Sequence, residues 1–254
     1  MKVNFSGIPI QSVIGRLLRL PLGLIPDGLV VPILQGPLKG MRWITGSSTH
    51  GCWLGSYEFD KQRTFASKVA SFQGGCVYDL GAHVGFYTLL SSRGVGPTGQ
   101  VIAFEPLPSN VSLLKRNLVL NGCTNCRIME VAVSDRSGSA WFDAQPGRSS
   151  EGHLAPRGRV QVSVVVLDEL IKEGNLPVPN VIKMDIEGAE YAALSGSTSL
   201  LDDYHPLIFL ATHGAQVHRR CCDLLASLGY SLQALDGCAV EDTDEIIAVW
   251  SSPV

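Results

Sequence analysis

Val77-Tyr-Asp-Leu-Gly-Ala-His-Val-Gly-Phe-Tyr-Thr88 is the stretch on which the reading of the fold turns. An apolar run closes on Asp79, Gly81 and Ala82 allow a tight turn, and an amphipathic segment follows. That order predicts a strand, a loop of close backbone approach and a helix start whose free N–H groups can meet an anionic ligand. A Gly–Ala turn can also serve simply to close a β-to-α connection. The spacing is Asp-x-Gly-x-x-x-Gly, not the Gly-x-Gly-x-x-Gly of a dinucleotide-binding turn, and it points away from nicotinamide enzymes.

Two more stretches share the design. Val101-Ile-Ala-Phe-Glu-Pro106 is a second apolar run, closing on Glu105, 24 residues beyond Gly81. An acid at the end of the next parallel strand can accept hydrogen bonds from both hydroxyls of a ribose. Pro106 stops the strand, and Pro108-Ser109-Asn110 opens a helix with Ser109 as its predicted N-cap. Val181-Ile-Lys-Met-Asp-Ile-Glu-Gly-Ala-Glu190 repeats the pattern, with Asp185 and Glu187 at the strand end. Three such ends on one edge of a parallel sheet would surround one ligand.

The blocks YDLGAHVGFYT, AFEPLPSN, VAVSDRSG and IKMDIEGAE, with WLGSYE upstream and IFLATHG downstream, resemble the FkbM family of S-adenosylmethionine-dependent methyltransferases. The resemblance runs from about Gly36 to about Gly237, and IKMDIEGAE is its most distinctive piece. It implies an α/β fold: a Rossmann-like seven-stranded sheet, mostly parallel with an antiparallel last strand, and helices on both faces. It further implies an N-terminal helical and loop extension and cap over residues 1–72, and a cofactor-binding catalytic domain over 73–254. The implied cofactor is S-adenosylmethionine, and the implied activity is methyl transfer to a hydroxyl of a small molecule, sugar or glycan.

On this reading Asp79, Gly81, Ala82, His83 and Gly85 form the cofactor loop, Glu105 anchors the ribose, and Pro106 and Asn110 flank it. Val133, with Ala132, packs the adenine ring, and Asp135 accepts its amino group, although Asp135-Arg-Ser-Gly138 is also ordinary turn chemistry. By the same resemblance Tyr57 and Glu58 cover the methionine end. Glu58 could equally serve only the terminus of a helix predicted from Ser56, its N-cap, toward Phe72. Asp185 and Glu187 lie where the methionine amino group and the acceptor meet. Many members of the resembled family carry a Glu in the fifth strand where this chain has Leu210-Ala211-Thr212; if that Glu is catalytic in them, His213 or Thr212 must replace it here. His213 is the predicted general base, because imidazole titrates near neutral pH. His83 and His50 are second choices.

The remaining sequence is read around that core. Gly46–Gly55 reads as a polar loop holding His50 and Trp53, and Gln145–Arg159 as a long loop rich in Gly, Pro, Ser and Arg. Loops of that length are usually functional or disordered, which makes Arg148, Ser149 and His153, with His50 and Trp53, candidate substrate contacts. The third parallel strand is predicted over Arg127–Ala132, and Ser231–Leu235 with Ile246–Ser251 as a terminal hairpin. Asp185 and His213 with one more acid could hold a divalent metal, but the same acids suit cofactor binding, and no metal is assigned.

At 254 residues, 45% hydrophobic and 17% charged, the chain fits one large α/β domain. A net charge of −3 offers no bulk attraction for nucleic acid, and no basic patch with interleaved aromatics occurs. Seven cysteines, an odd number, without a signal peptide favour a reduced cytoplasmic setting. Cys123-Thr-Asn-Cys126 lacks the second pair that a zinc site needs. Residues 8–35 are apolar but broken by Pro, Gly, Arg16 and Arg19. They suit a helix on the sheet edge, a contact in a homo-oligomer, or peripheral contact with a membrane surface. Two other readings stay open: a non-catalytic cofactor-binding scaffold, and a nicotinamide-dependent oxidoreductase.

Overall fold

A computed structural model describes residue 22, residues 24–143, the backbone alone of 144–145 and 148–155, and residues 158–251. Residues 8–21, which carry most of the expected membrane or protomer contact, lie outside the described residues. Among the described residues no helix is long and apolar enough to cross a membrane.

The strands in chain order are β1 (Val30–Pro32), β2 (Arg42–Ile44), β3 (Cys76–Leu80), β4 (Gln100–Phe104), β5 (Cys126–Met129), β6 (Ala132–Val133) and β7 (Gly138–Gln145). They continue with β8 (Arg148–Ala155), β9 (Val160–Val165), β10 (Val181–Met184), β11 (Leu207–Ala211), β12 (Tyr230–Ala234) and β13 (Glu245–Trp250). The helices are α1 (His50–Leu54), α2 (Phe59–Val69), α3 (Phe86–Val95), α4 (Pro108–Leu120), α5 (Leu167–Lys172), α6 (Glu190–Ser195), α7 (Thr198–Tyr204) and α8 (Ala215–Ser227).

Seven strands form the main sheet in the order β12-β13-β11-β10-β3-β4-β5. Strands β5, β4, β3, β10 and β11 run parallel, and β13 is antiparallel to both β11 and β12. The expected reversed last strand is therefore present, inserted between its two predecessors. Successive side chains leave opposite faces of a strand. Val77, Val101, Val181 and Phe209 accordingly enter one core with Trp43, Phe65, Leu89 and Leu114. Tyr78, Ile102, Ile182 and Ile208 enter the other with Leu194, Leu201, Cys221 and Leu225. Both faces are covered, and for that reason β3 and β10 are buried along their whole length.

Four boundaries differ from the sequence reading. The third strand stops at Met129, because its neighbour β4 ends at Phe104 and Pro106 has no N–H to continue the ladder. Ala132 and Val133 cross instead to a separate sheet of order β6-β9-β7-β8, pairing parallel with Val164 and Val165. The expected loop at 145–159 contains β8, paired antiparallel with β7. Gly46–Gly55 contains helix α1, whose end is closed by the Ser56 and Tyr57 N–H groups donating to the Gly51 carbonyl.

Neither predicted serine cap forms. Ser56 is held in the turn after α1, and α2 begins after Glu58, whose φ of 43° lies in the left-handed region. Helix α4 begins one residue before Ser109, with Pro108 in its first turn, where a fixed φ and a missing N–H cost nothing. Gly229 does follow the end of α8 with a φ of 84°, as expected of a C′ glycine.

Helix α2 is pinned to the sheet by aromatic edges. Phe65 meets Phe209 at 4.9 Å between centroids and Tyr87 at 5.1 Å, both edge-to-face. Phe209→Ala is expected to cost about 3–5 kcal/mol in urea unfolding, the usual loss for a buried Phe. A double-mutant cycle with Phe65→Leu and Phe209→Leu should return a coupling of about 0.5–1.5 kcal/mol. Strict additivity would mean that the ring pair does not hold α2 in place.

Candidate active site

The C-terminal ends of β3, β4 and β10 open into one cleft enclosing about 1000 Å³ of space, solvent at its mouth included. Its walls carry Gly81, Ala82 and His83 after β3, Glu105 and Pro106 after β4, and Asp185 and Glu187 after β10. Tyr57 closes it from the N-terminal side, with Ser48 and Cys52 beside it. Val131, Ala132 and Val133 line it from the start of the small sheet, joined by Phe142 of β7. The three strand ends thus do meet at one place.

Gly81 shows how tightly the loop is packed. Its φ is +80°, and a Cβ there would lie 1.9 Å from the Asp185 carbonyl oxygen, so the β3 loop passes directly beneath the β10 end. Gly85 serves packing. A Cβ there would meet Leu114 Cδ1 at 2.5 Å, and the residue is not part of the cleft wall.

Glu105 is 4% exposed and is organised by three donors. The Leu107 N–H and the Asn110 amide donate to Oε1 at 2.9 and 3.1 Å, and the His83 N–H donates to Oε2 at 2.8 Å. Oε1 is thereby saturated, whereas Oε2 keeps a lone pair for a further donor. Burial pushes this carboxyl up to about 7, against those hydrogen bonds. Asn110, expected in the cofactor shell, is a buried partner of Glu105 and does not line the cleft. His83 lines it with a φ of 49°, and burial, aided by Lys183, holds its imidazole down to about 4, hence neutral.

Beneath the loop lies a buried charge group that the sequence reading missed. Alternation places Asp79 and Lys183 on the same face, and the β3–β10 register sets them opposite each other. Lys183 Nζ lies 3.6 Å from Asp79 Oδ1, 3.6 Å from Asp185 Oδ2 and 5.1 Å from the Tyr87 ring centroid, and it donates to the Gly81 carbonyl at 3.3 Å. Thr88 donates to Asp79 Oδ2 at 2.6 Å. Asp79 is fully buried and does not line the cleft; burial raises its carboxyl despite Lys183. Burial would raise Asp185 too, but Lys183, then Lys61 and His213, hold it below the ordinary range.

His213, after β11, stands among three carboxylates. Nδ1 lies 2.8 Å from Glu190 Oε1, and Nε2 lies 3.4 Å from Glu187 Oε2 and 3.7 Å from Asp185 Oδ1. The Glu190 bond, opposed by burial and reinforced by the other acids, raises the imidazole to about 9. A histidine in that state is a cation at neutral pH, which argues against its expected role as a free general base.

Several other expectations are displaced. Asp135 is exposed and does not line the cleft. Trp53 is 7% exposed in the core and donates toward His50 Nδ1 at 3.4 Å, and neither residue lines the cleft. Glu58 accepts the Tyr87 hydroxyl at 2.5 Å and pairs with Lys61 at 3.2 Å, tying α2 to α3 instead of lining the cleft. The side chains of Arg148, Ser149 and His153 lie outside the described residues.

The donor set fits S-adenosylmethionine. Glu105 Oε2 can take a ribose hydroxyl, the Val131–Val133 and Phe142 walls can flank an adenine, and the acids can face a sulfonium and an ammonium.

A parallel sheet in this order, with a reversed strand and acids at three strand ends, defines a Rossmann-like methyltransferase fold. The family described as "Methyltransferase FkbM domain" matches residues 79–232, and the chain belongs to that family. It is 29% identical over 133 residues to Hexuronic acid methyltransferase AglP of Haloferax volcanii, covering 52% of this chain and 54% of that protein. It is 27% identical over 124 residues to 2-O-methyltransferase NoeI of Sinorhizobium fredii, covering 41% and 50%. The chain thus spans about half the length of these curated relatives. The solved O-methyltransferase from Bacillus cereus in complex with SAH shares the fold, with TM-score 0.50 and 15% identity over 97% of this chain and 94% of that one.

Lys183→Met removes the cation shared by the fully buried Asp79 and the part-buried Asp185. Breaking such a group is expected to cost about 3–5 kcal/mol at pH 8. Asp79, already raised, takes up a proton as the pH falls, and its charge then no longer needs Lys183. The deficit against wild type should therefore shrink at pH 5, measured by urea unfolding at both values. An equal deficit at both would show that Lys183 acts through packing alone.

Proposed function

We propose that this chain transfers the methyl group of S-adenosylmethionine to a hydroxyl of a sugar or similar polyhydroxylated small molecule. One observation carries the reading: the cleft that holds the β3 loop and Glu105 is also lined by Asp185 and Glu187, beside His213. A cofactor pocket and an acid-rich acceptor pocket are thus one space. Similarity to a hexuronic acid methyltransferase and to a 2-O-methyltransferase supports a sugar hydroxyl as the acceptor.

In this reading Glu105 holds the ribose, Gly81, Ala82 and His83 pass beneath the methionine portion, and Tyr57 covers it. Residues 1–72 act as the cap, and 73–254 as the catalytic domain. Trp43 and Phe65, from the described part of the cap, pack in one core with Val77 and Phe209. Held by Glu105 and the β3 loop, S-adenosylmethionine would supply an activated methyl group, its carbon–sulfur bond exchanged for one to the acceptor oxygen and the electron pair left on sulfur. The protein's share is orientation, exclusion of water and acceptance of the hydroxyl proton. Glu187 takes that proton, being 29% exposed at the cleft wall, while Asp185 is tied to Lys183.

Only ionised Glu105 offers Oε2 to a ribose hydroxyl. Because this carboxyl titrates near 7, S-adenosylmethionine should bind about tenfold more weakly at pH 6 than at pH 8. Calorimetry should show that dependence in wild type and collapsed binding in Glu105→Ala, and scintillation counting should show tritium passing from labelled cofactor to a free hexuronic acid or its glycoside. No binding to wild type would sink the methyltransferase reading. Equal binding to wild type and Glu105→Ala would break the assignment of the ribose anchor.

A further inference from the structure

We infer that Asp185, Glu187 and His213 form a binding site for one divalent cation, with Glu190 orienting the histidine. One donor atom from each of the three lies within 4.8 Å of the others. Two ligands each about 2.1 Å from one ion stand roughly 3.0–3.5 Å apart, depending on the angle between them. His213 Nε2 is 3.4 Å from Glu187 Oε2 and 3.7 Å from Asp185 Oδ1, so small rotations bring all three onto one ion.

The histidine is oriented as a metal ligand, and its Nε2 proton leaves when the ion binds. Its Nδ1 is fixed by Glu190 Oε1, which also accepts the Gly188 N–H at 2.9 Å, so that Nε2 is presented to the two acids. A carboxylate behind the far ring nitrogen is the usual support of a ligating histidine.

A second observation points to a cation independently. Glu190 is fully buried, and its Oε2 has no hydrogen-bond partner among the described residues. Asp185, Glu187 and Glu190 converge on this ring, while Lys183, the cation beneath them, is shared between Asp185 and Asp79. Three converging carboxylates are costly to keep in a protein cleft, and an ion on Nε2 replaces the proton that the ring otherwise carries there. The mixed nitrogen and oxygen donors suit a first-row cation such as Mn²⁺ better than an all-oxygen ion such as Ca²⁺.

The function of such an ion rests on the reading proposed above, with Glu187 ligating through one carboxylate oxygen and keeping the other for the hydroxyl proton. Three protein ligands leave coordination positions open toward the cleft. Two neighbouring oxygens of an acceptor fit them, either a vicinal diol or a hydroxyl beside a carboxylate. The acceptor class is therefore a chelating one, and a lone isolated hydroxyl would be a poor substrate.

The test uses the full chain, stripped with a chelator and titrated with Mn²⁺, with free Mn²⁺ read by its electron paramagnetic resonance signal. One site per chain is expected in wild type, at least tenfold weaker in Glu187→Gln and in His213→Ala and unchanged in Glu241→Gln. Glu187 and His213 are 29% and 36% exposed, so these changes do not hollow the core, and circular dichroism checks the fold. Less than one site in wild type, or equal affinity in wild type and Glu187→Gln, overturns the metal site. Calorimetry with S-adenosylmethionine on the same samples separates the two readings. Cofactor binding without a Mn²⁺ site removes the ion alone, whereas a Mn²⁺ site without cofactor binding removes the methyltransferase reading and leaves the ion.

Discussion

The ion group beneath the loop, Lys183 between Asp79 and Asp185, is the constraint on which the rest of the site depends. A lysine and an aspartate on adjacent parallel strands, both on the inward face, are almost wholly removed from water. Each carries a large desolvation cost that the other helps to offset, with Thr88 and Asp185 as further partners. The same ammonium reaches the Gly81 carbonyl and the Tyr87 face, so one charge fixes the turn after β3, the end of β10 and the ring on α3. The cleft has its shape because those parts cannot move separately.

The strands were legible because β3, β4, β10 and β11 are short apolar runs ending in polar residues. That is how a doubly covered parallel strand must read. The acids at their ends were legible for the same reason, since a polar residue closing such a run stands at the sheet edge. Lys183 was not. Inside Val-Ile-Lys-Met it reads as an interruption, and only the register with a strand over a hundred residues earlier reveals its partner. Phe142 was hidden likewise, because it reaches the cleft from a sheet whose pairing the sequence does not announce. Asp135 was misplaced because Ala132 and Val133 leave the main sheet, carrying the residues behind them away from the cleft.

His213 shows a different limit. Its position after a strand was readable, but its protonation is set by Glu190, which the motif IKMDIEGAE carries as an apparently ordinary first-turn acid. The structure turns that acid inward to meet a ring on the neighbouring strand's loop. A motif can thus hold both a site residue and its tuning group, and only geometry tells them apart.

The placement of β13 bears on how the polypeptide is made. It lies between β11 and β12, hydrogen-bonded to both, although both are synthesised before it. As the chain leaves the ribosome, β11 waits with one open edge and β12 has no neighbour to join. Neither can settle until Glu245–Trp250 emerges to fill the gap. The nascent protein therefore carries an unsatisfied apolar edge while the residues between Ala211 and Glu245 are added, the kind of surface that chaperones recognise.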